Sequence, residues 1–186
     1  NKFCYYRLCT VMPPLSNAKE YKHKTKSGIT AYRTPTAPFQ VWQVDLYGPM
    51  PISSQGHSYV LTAIDMFSKY LVTIPLANKD TLSVSSGISK IFTTFGVCQT
   101  IISDIGTEFT SKYMKEICCQ LGIHQEFTPS FAHHCLGACE RTHRTLAEGL
   151  TPYMSSHCQN WSDLLPSITF SINQSLHCLI NQSISI

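Results

Sequence analysis

The chain reads as an α/β domain, a five-stranded mixed sheet with helices on both faces, and three observations predict it. Three short apolar runs lie close together at 41–47, 59–64 and 70–75, separated by turn-forming residues. Longer segments with a helical apolar period then alternate with two more short runs, at 100–103 and 123–127. Hydrophobic residues make up 43% of the 186 and charged ones only 13%, about half the usual charged share. Such a chain carries enough apolar surface for one substantial core plus an appendage.

The elements follow in order. Val41 to Tyr47 forms a first strand, closed by Gly48-Pro49-Met50-Pro51. Tyr59 to Ile64 is a second and Tyr70 to Pro75 a third, with turns at 53–57 and 65–69, so three strands in quick succession predict an antiparallel meander. Val84, Ile88, Ile91, Phe92 and Phe95 recur at helical spacing behind a cap at Asp80 or Thr81, and Gly96 ends that helix. After the fourth strand, Phe109, Tyr113, Ile117 and Leu121 repeat every four residues as a second helix that Gly122 ends. The fifth strand, 123–127, precedes a third helix marked by Cys139, His143, Leu146, Leu150 and Tyr153 to Met154. A last helix runs through Trp161, Leu164, Leu165, Ile168, Ile172 and Leu176, entered through Asn160 with Asp163 three residues on. A meander joined by helical crossovers to further strands yields a mixed sheet with helices on both sides.

Composition sets further bounds. No apolar run approaches the roughly 18 residues of a membrane span, and Asn1-Lys2-Phe3-Cys4 is neither an initiator Met nor a secretory signal. A fragment of something larger, with no membrane partner, is expected. The nine Cys are an odd, scattered set, which fits reduced intracellular thiols. Asn160-Trp161-Ser162, Asn173-Gln174-Ser175 and Asn181-Gln182-Ser183 match the glycosylation pattern, but in or beside a helical stretch they read as coincidence. Residues 1–37 carry seven Lys/Arg against one Glu, whereas 38–186 carry seven against ten acids. A basic arm of this kind, rich in Pro and polar residues, reads as a linker that suits a polyanion or simply stays solvated. The acidic body repels phosphate unless a cation intervenes.

Three of those acids stand out. Asp45 lies in an apolar strand, Asp104 directly follows another, and Glu140 opens the third helical segment, 35 residues lying between the last two. A strand-end Asp costs desolvation free energy unless a cation offsets it, and three such carboxylates can hold divalent metal for phosphoryl transfer. Each alone has a plainer explanation: a turn at Asp45, a loop cap at Asp104, a pairing of Glu140 with Arg144 one turn on. Asp65 and Glu108 are competing acids, but Asp65 suits a turn and Glu108 a helix N-terminus. His133 and His134 are adjacent in a loop, where side chains more often diverge than share a metal.

Pro38-Phe39-Gln40-Val41-Trp42-Gln43-Val44-Asp45-Leu46-Tyr47-Gly48-Pro49-Met50-Pro51, Ile64-Asp65-Met66-Phe67-Ser68-Lys69-Tyr70, Ser103-Asp104-Ile105-Gly106-Thr107-Glu108-Phe109 and Gly137-Ala138-Cys139-Glu140-Arg141-Thr142-His143-Arg144-Thr145-Leu146 occur in this order. Together they resemble the catalytic core of integrases from retroviruses and gypsy-like long-terminal-repeat retrotransposons, over residues 38 to about 183. The resemblance implies a ribonuclease-H-like fold for 38–186, truncated at its C-terminal end, and a D-D-E triad at Asp45, Asp104 and Glu140. It implies two Mg²⁺ or Mn²⁺ ions held by those three acids, double-stranded DNA as substrate, a homo-oligomer as the working form, and action in the nucleus after passage through the cytoplasm. One ion would activate the attacking oxygen and the other stabilise the leaving one, first in trimming a DNA 3′ end and then in joining it to another duplex. Arg141, Arg144, Lys112 and Lys115 are the candidates for phosphate contact, or plain solubilising charges.

Departures from the family pattern are informative. Cys4 and Cys9 look like the tail of the family's His-His-Cys-Cys zinc module within the 1–37 arm, but four residues part them where two are usual. Two Cys cannot close a tetrahedral site, so Zn²⁺ is expected only in a module that this chain lacks. Phe131-Ala132-His133-His134-Cys135-Leu136-Gly137 replaces the usual Tyr-His-Pro-Gln and Asn-Gly stretch, and His143 stands where Asn is common. A non-enzymatic, host-adopted descendant binding nucleic acid or protein is therefore the alternative to an active transferase. A ribonuclease-H-like nuclease is a third reading, which leaves the 137–146 motif unexplained.

Overall fold

A computed structural model describes residues 35–128, 133–153 and 160–183, with backbone alone at 133–140 and 176–183. Five strands, β1 (Val41–Tyr47), β2 (Tyr59–Asp65), β3 (Leu71–Leu76), β4 (Thr100–Ser103) and β5 (His124–Phe127), form one sheet in the order β3-β2-β1-β4-β5. β1, β2 and β3 pair antiparallel, as short turns require, whereas β4 joins β1 and β5 joins β4 in parallel through helical crossovers. The helices are α1 (Thr81–Phe95), α2 (Thr107–Thr110), α3 (Lys112–Leu121), α4 (His133–Leu150) and α5 (Trp161–Ser183), with a short 3₁₀ turn at Thr151–Tyr153. This is the ribonuclease-H-like architecture.

Strand alternation sorts side chains between two cores. Trp42 and Val44 of β1, Leu61 and Ala63 of β2 and Ile74 of β3 pack against Val84, Ile88 and Ile91 of α1 and against Phe109, Met114 and Cys118. The other face carries Val60 and Tyr47, covered by Leu146 and Leu150 of α4 and by Trp161, Leu165, Ile168 and Ile172 of α5. Because side chains alternate along a strand, Gln43 and Asp45 share the α4–α5 face with Tyr47.

Local chemistry explains where elements start and how closely they pack. Asp80 caps α1, accepting from Ser83 N–H at 2.9 Å and from the Ser83 hydroxyl at 3.0 Å. At Gly87 a Cβ would lie 2.7 Å from Leu61 Cδ2, so the missing side chain is what lets α1 settle on the sheet. On the opposite face the Asn173 side chain receives Leu71 N–H at 2.8 Å and donates to Leu71 O at 2.9 Å, tying α5 to edge strand β3. Both the oxygen and the nitrogen of that glycosylation-pattern Asn side chain are thus committed to the fold. Asp65 is a turn former, accepting from Phe39 N–H, Ser68 N–H and the Ser68 hydroxyl. No helix among the described residues is long and apolar enough to cross a membrane.

Three expectations need correction. The expected single helix through 109–121 is two, because Ser111 leaves the helical conformation and its hydroxyl accepts from Met114 N–H to start α3. The helix bearing Glu140 begins at His133, so Glu140 lies about two turns in rather than at its opening, the 133–138 stretch lacking an apolar period that would have marked it. That helix also stops at Leu150, short of Tyr153, whose residue belongs to the 3₁₀ turn.

Candidate active site

Asp45 is delivered by β1, midway through its pairing with β2, where it sits opposite Thr62. β4 runs parallel to β1 on its other side, and the chain leaves β4 directly into Asp104. Both acids therefore emerge at the same end of neighbouring strands, where ligand sites of α/β sheets form. Asp104 is exposed, in a tight loop: Gly106 N–H donates to Asp104 Oδ1 at 3.1 Å. A Cβ at Gly106 would lie 3.0 Å from that oxygen and 2.8 Å from Glu108 Cδ. The carboxyls of Asp104 and Glu108 thus both lie against Gly106 in this loop.

The electrostatics of Asp45 report that gathering. Its pKa is raised from 3.8 to about 6, first by burial, against the lowering effect of Leu46 N–H at 2.8 Å, and then by the negative charges of Asp104 and Glu108. Two acids distant in sequence thus act on Asp45 through space, in an environment that favours a compensating cation.

Glu140 lies on α4, and its side chain is outside the described residues. His143, three positions on and so on the same helical face, reaches Asp45: Nδ1 is 3.9 Å from Asp45 Oδ2, and Nε2 is 2.8 Å from Thr62 Oγ1. The Thr62 hydroxyl in turn donates to Asp45 O at 3.1 Å. The imidazole lies beside Tyr47, ring centroids 5.4 Å apart, and burial lowers its pKa. The part of α4 that carries Glu140 is thereby anchored at Asp45.

Among the described residues no three His, Cys, Asp or Glu side chains gather closely enough to enclose a metal ion. What is described is one part-buried carboxylate, Asp45, on which the charges of two others, Asp104 and Glu108, act. Of the cationic candidates, Lys112 and Lys115 are exposed on α3, and Arg141 and Arg144 are exposed on α4. These helices pack on opposite faces of the sheet, so the four do not form a single patch. Cys4, Cys9 and the His133 and His134 side chains lie outside the described residues. His143 and Thr62 are the site residues that sequence reasoning left unassigned. Position 143 carried a signal, the departure from Asn, whereas Thr62 carried none beyond its place in a strand.

A family model described as the integrase core domain matches residues 35–132. The chain belongs to the integrase core domain family. It is 35% identical over 146 residues to the Retrovirus-related Pol polyprotein from transposon 412 of Drosophila melanogaster, covering 78% of this chain and 12% of that polyprotein. It is 31% identical over 136 residues to Gypsy retrotransposon integrase-like protein 1 of Bos taurus, covering 73% of this chain and 27% of that protein. This integrase core thus spans well under a third of either relative. In fold it matches the HTLV-2 integrase catalytic core domain, solved in complex with magnesium in a trimeric form, with a TM-score of 0.61 at 18% identity, over 75% of this chain and 88% of that one.

Proposed function

We propose that this integrase core is a divalent-metal polynucleotidyl transferase acting on double-stranded DNA, with Asp45, Asp104 and Glu140 as its catalytic acids. The observation that carries the reading is the place of Asp45 on β1 and of Asp104 directly after the parallel neighbour β4, near enough for the charge of Asp104 to raise the Asp45 pKa. Carboxylates held together against their repulsion suit Mg²⁺ or Mn²⁺, which take oxygen ligands and keep room for phosphate oxygens. When bound, such ions acidify an attacking hydroxyl or water and neutralise charge on the departing oxygen. Asp45 and Asp104 then serve as ligands from the sheet and Glu140 as the ligand from α4, while His143 and Thr62 hold α4 to Asp45. The same centre serves water attack at a 3′ end and attack by the resulting 3′-hydroxyl on a second duplex. The HTLV-2 core that this chain matches in fold was solved with magnesium and in a trimeric form; that this chain works as a homo-oligomer, on DNA in the nucleus, is part of the same proposal.

The test is strand transfer or disintegration on short DNA duplexes with Mg²⁺ or Mn²⁺, comparing the chain with Asp104→Asn. Activity is expected to fall by more than about 100-fold, beyond what an outer-sphere partner costs. Equal turnover in both would remove the enzymatic reading. The second reading, a non-enzymatic descendant binding nucleic acid or protein, draws on His143, whose place beside Asp45 departs from the family's Asn.

A further inference from the structure

β3 is an edge of the sheet, and an edge strand offers its outward N–H and C=O groups to any chain that can lie beside it. The side chain of Asn173 meets that offer at Leu71: Oδ1 accepts from Leu71 N–H at 2.8 Å and Nδ2 donates to Leu71 O at 2.9 Å. These are the two bonds that a residue of a neighbouring strand would make, here supplied by a side chain that is only 6% exposed. Backbone groups alternate sides along a strand, so Thr73 and Pro75 face outward with Leu71. Pro75 has no N–H to give. Four residues before Asn173, one turn of α5, the Thr169 hydroxyl lies 2.6 Å from that of Thr73. The helix therefore follows the edge, its turn matching two residues of strand. It does not bury the edge: a cleft of about 410 Å³ stays open along residues 70–74 between α1 and α5.

We propose that Asn173 and Pro75 form an edge cap, which keeps β3 from pairing with the β3 of a second copy of this chain. Two copies meeting edge to edge about a twofold axis would lay β3 antiparallel to β3, the self-complementary contact of a symmetric dimer, and join two sheets into one. With Leu71 occupied and Pro75 lacking a donor, Thr73 is the one outward residue of the three left with both a donor and an acceptor. One such residue is too little to hold a strand. The cap acts by chemistry rather than by cover, so losing a single carboxamide opens a surface that is already within reach. It acts without metal or DNA, and it confines self-association of the native chain to other surfaces.

The test is sedimentation velocity of the whole 186-residue chain and its variants at matched concentration, with amide hydrogen exchange read by NMR at Leu71 and Thr73. Asn173→Ala is expected to form species larger than those of the native chain, their share rising with concentration. In dilute solution its Leu71 N–H should exchange roughly tenfold faster than in the native chain, the equivalent of about one hydrogen bond. In the larger species Leu71 and Thr73 should both be protected. Adding Thr73→Pro, which removes the donor at the centre of the edge, should return the double variant to the native size. Leu165→Ala loosens α5 through its packing and leaves the cap in place, so it should not enlarge. Unchanged size in Asn173→Ala, or larger species in which Thr73 stays unprotected, would overturn the cap. Equal enlargement in Leu165→Ala would overturn it too, by assigning the effect to lost packing. Should Asn173→Ala not fold, Pro75→Val supplies the missing donor without touching α5 and should enlarge in the same way; native size there would decide against the cap.

Discussion

Asp45 concentrates the free-energy cost of the site. Its pKa is raised to about 6 from 3.8, so the folded state binds a proton there more tightly than the unfolded chain does. By linkage, the stabilisation from that proton is fully present below the unfolded value and is lost as pH rises through the folded one. At neutral pH the metal-free protein therefore carries an ionised, part-buried carboxylate facing two other acids. Asp45→Asn is expected to stabilise the metal-free chain at pH 8 by about 1–3 kcal/mol, an advantage that disappears below about pH 4, where the native acid is protonated in both states. Urea unfolding at the two pH values measures the difference, and an equal gap at both would contradict the assignment. Added Mn²⁺ should reverse the ranking at pH 8, since a ligand that binds only the folded acid stabilises only the native sequence.

At the scale of elements, α5 holds the α4 face of the sheet together, and Trp161 is its anchor. That side chain is fully buried, and its indole N–H donates to Pro51 O at 2.7 Å, fixing the start of α5 to the loop after β1. Trp161→Ala is expected to cost about 3–5 kcal/mol through the cavity it opens, and Trp161→Phe about 1–2 kcal/mol through the stranded carbonyl. Denaturant midpoints should separate the two. Periodicity found these elements well where apolar spacing, caps and breaks agreed, as in α1 between Asp80 and Gly96. It misread α2 and α3 because Phe109, Tyr113, Ile117 and Leu121 keep their four-residue step across the break at Ser111. It missed the first turns of α4 because residues 133–138 present no apolar stripe to recognise.

For the whole molecule, charge is divided: a basic arm over 1–37 and an acidic remainder. Removing residues 1–37 is therefore expected to flatten the dependence of DNA affinity on salt, because each lost phosphate contact lowers the slope by nearly one. Fluorescence anisotropy on a short duplex between about 50 and 200 mM salt measures it, and an unchanged slope would assign phosphate binding to the body instead. Divalent metal should raise affinity in either form, by neutralising the acids around Asp45 that face incoming phosphate.

The order of residues alone determined the α/β class, the strands and most helix limits, because alternation, helical period and turn chemistry are local properties. Motifs at Asp45, Asp104 and Glu140 were visible for the same reason, being short runs of contiguous residues. Only the tertiary structure decided that Asp45 and Asp104 leave adjacent parallel strands at one end, that Glu108 joins them, and that His143 meets Asp45 through Thr62. Those are relations between segments, set by crossover direction and packing of α4 on the sheet, and no local pattern in the chain encodes a distance across it.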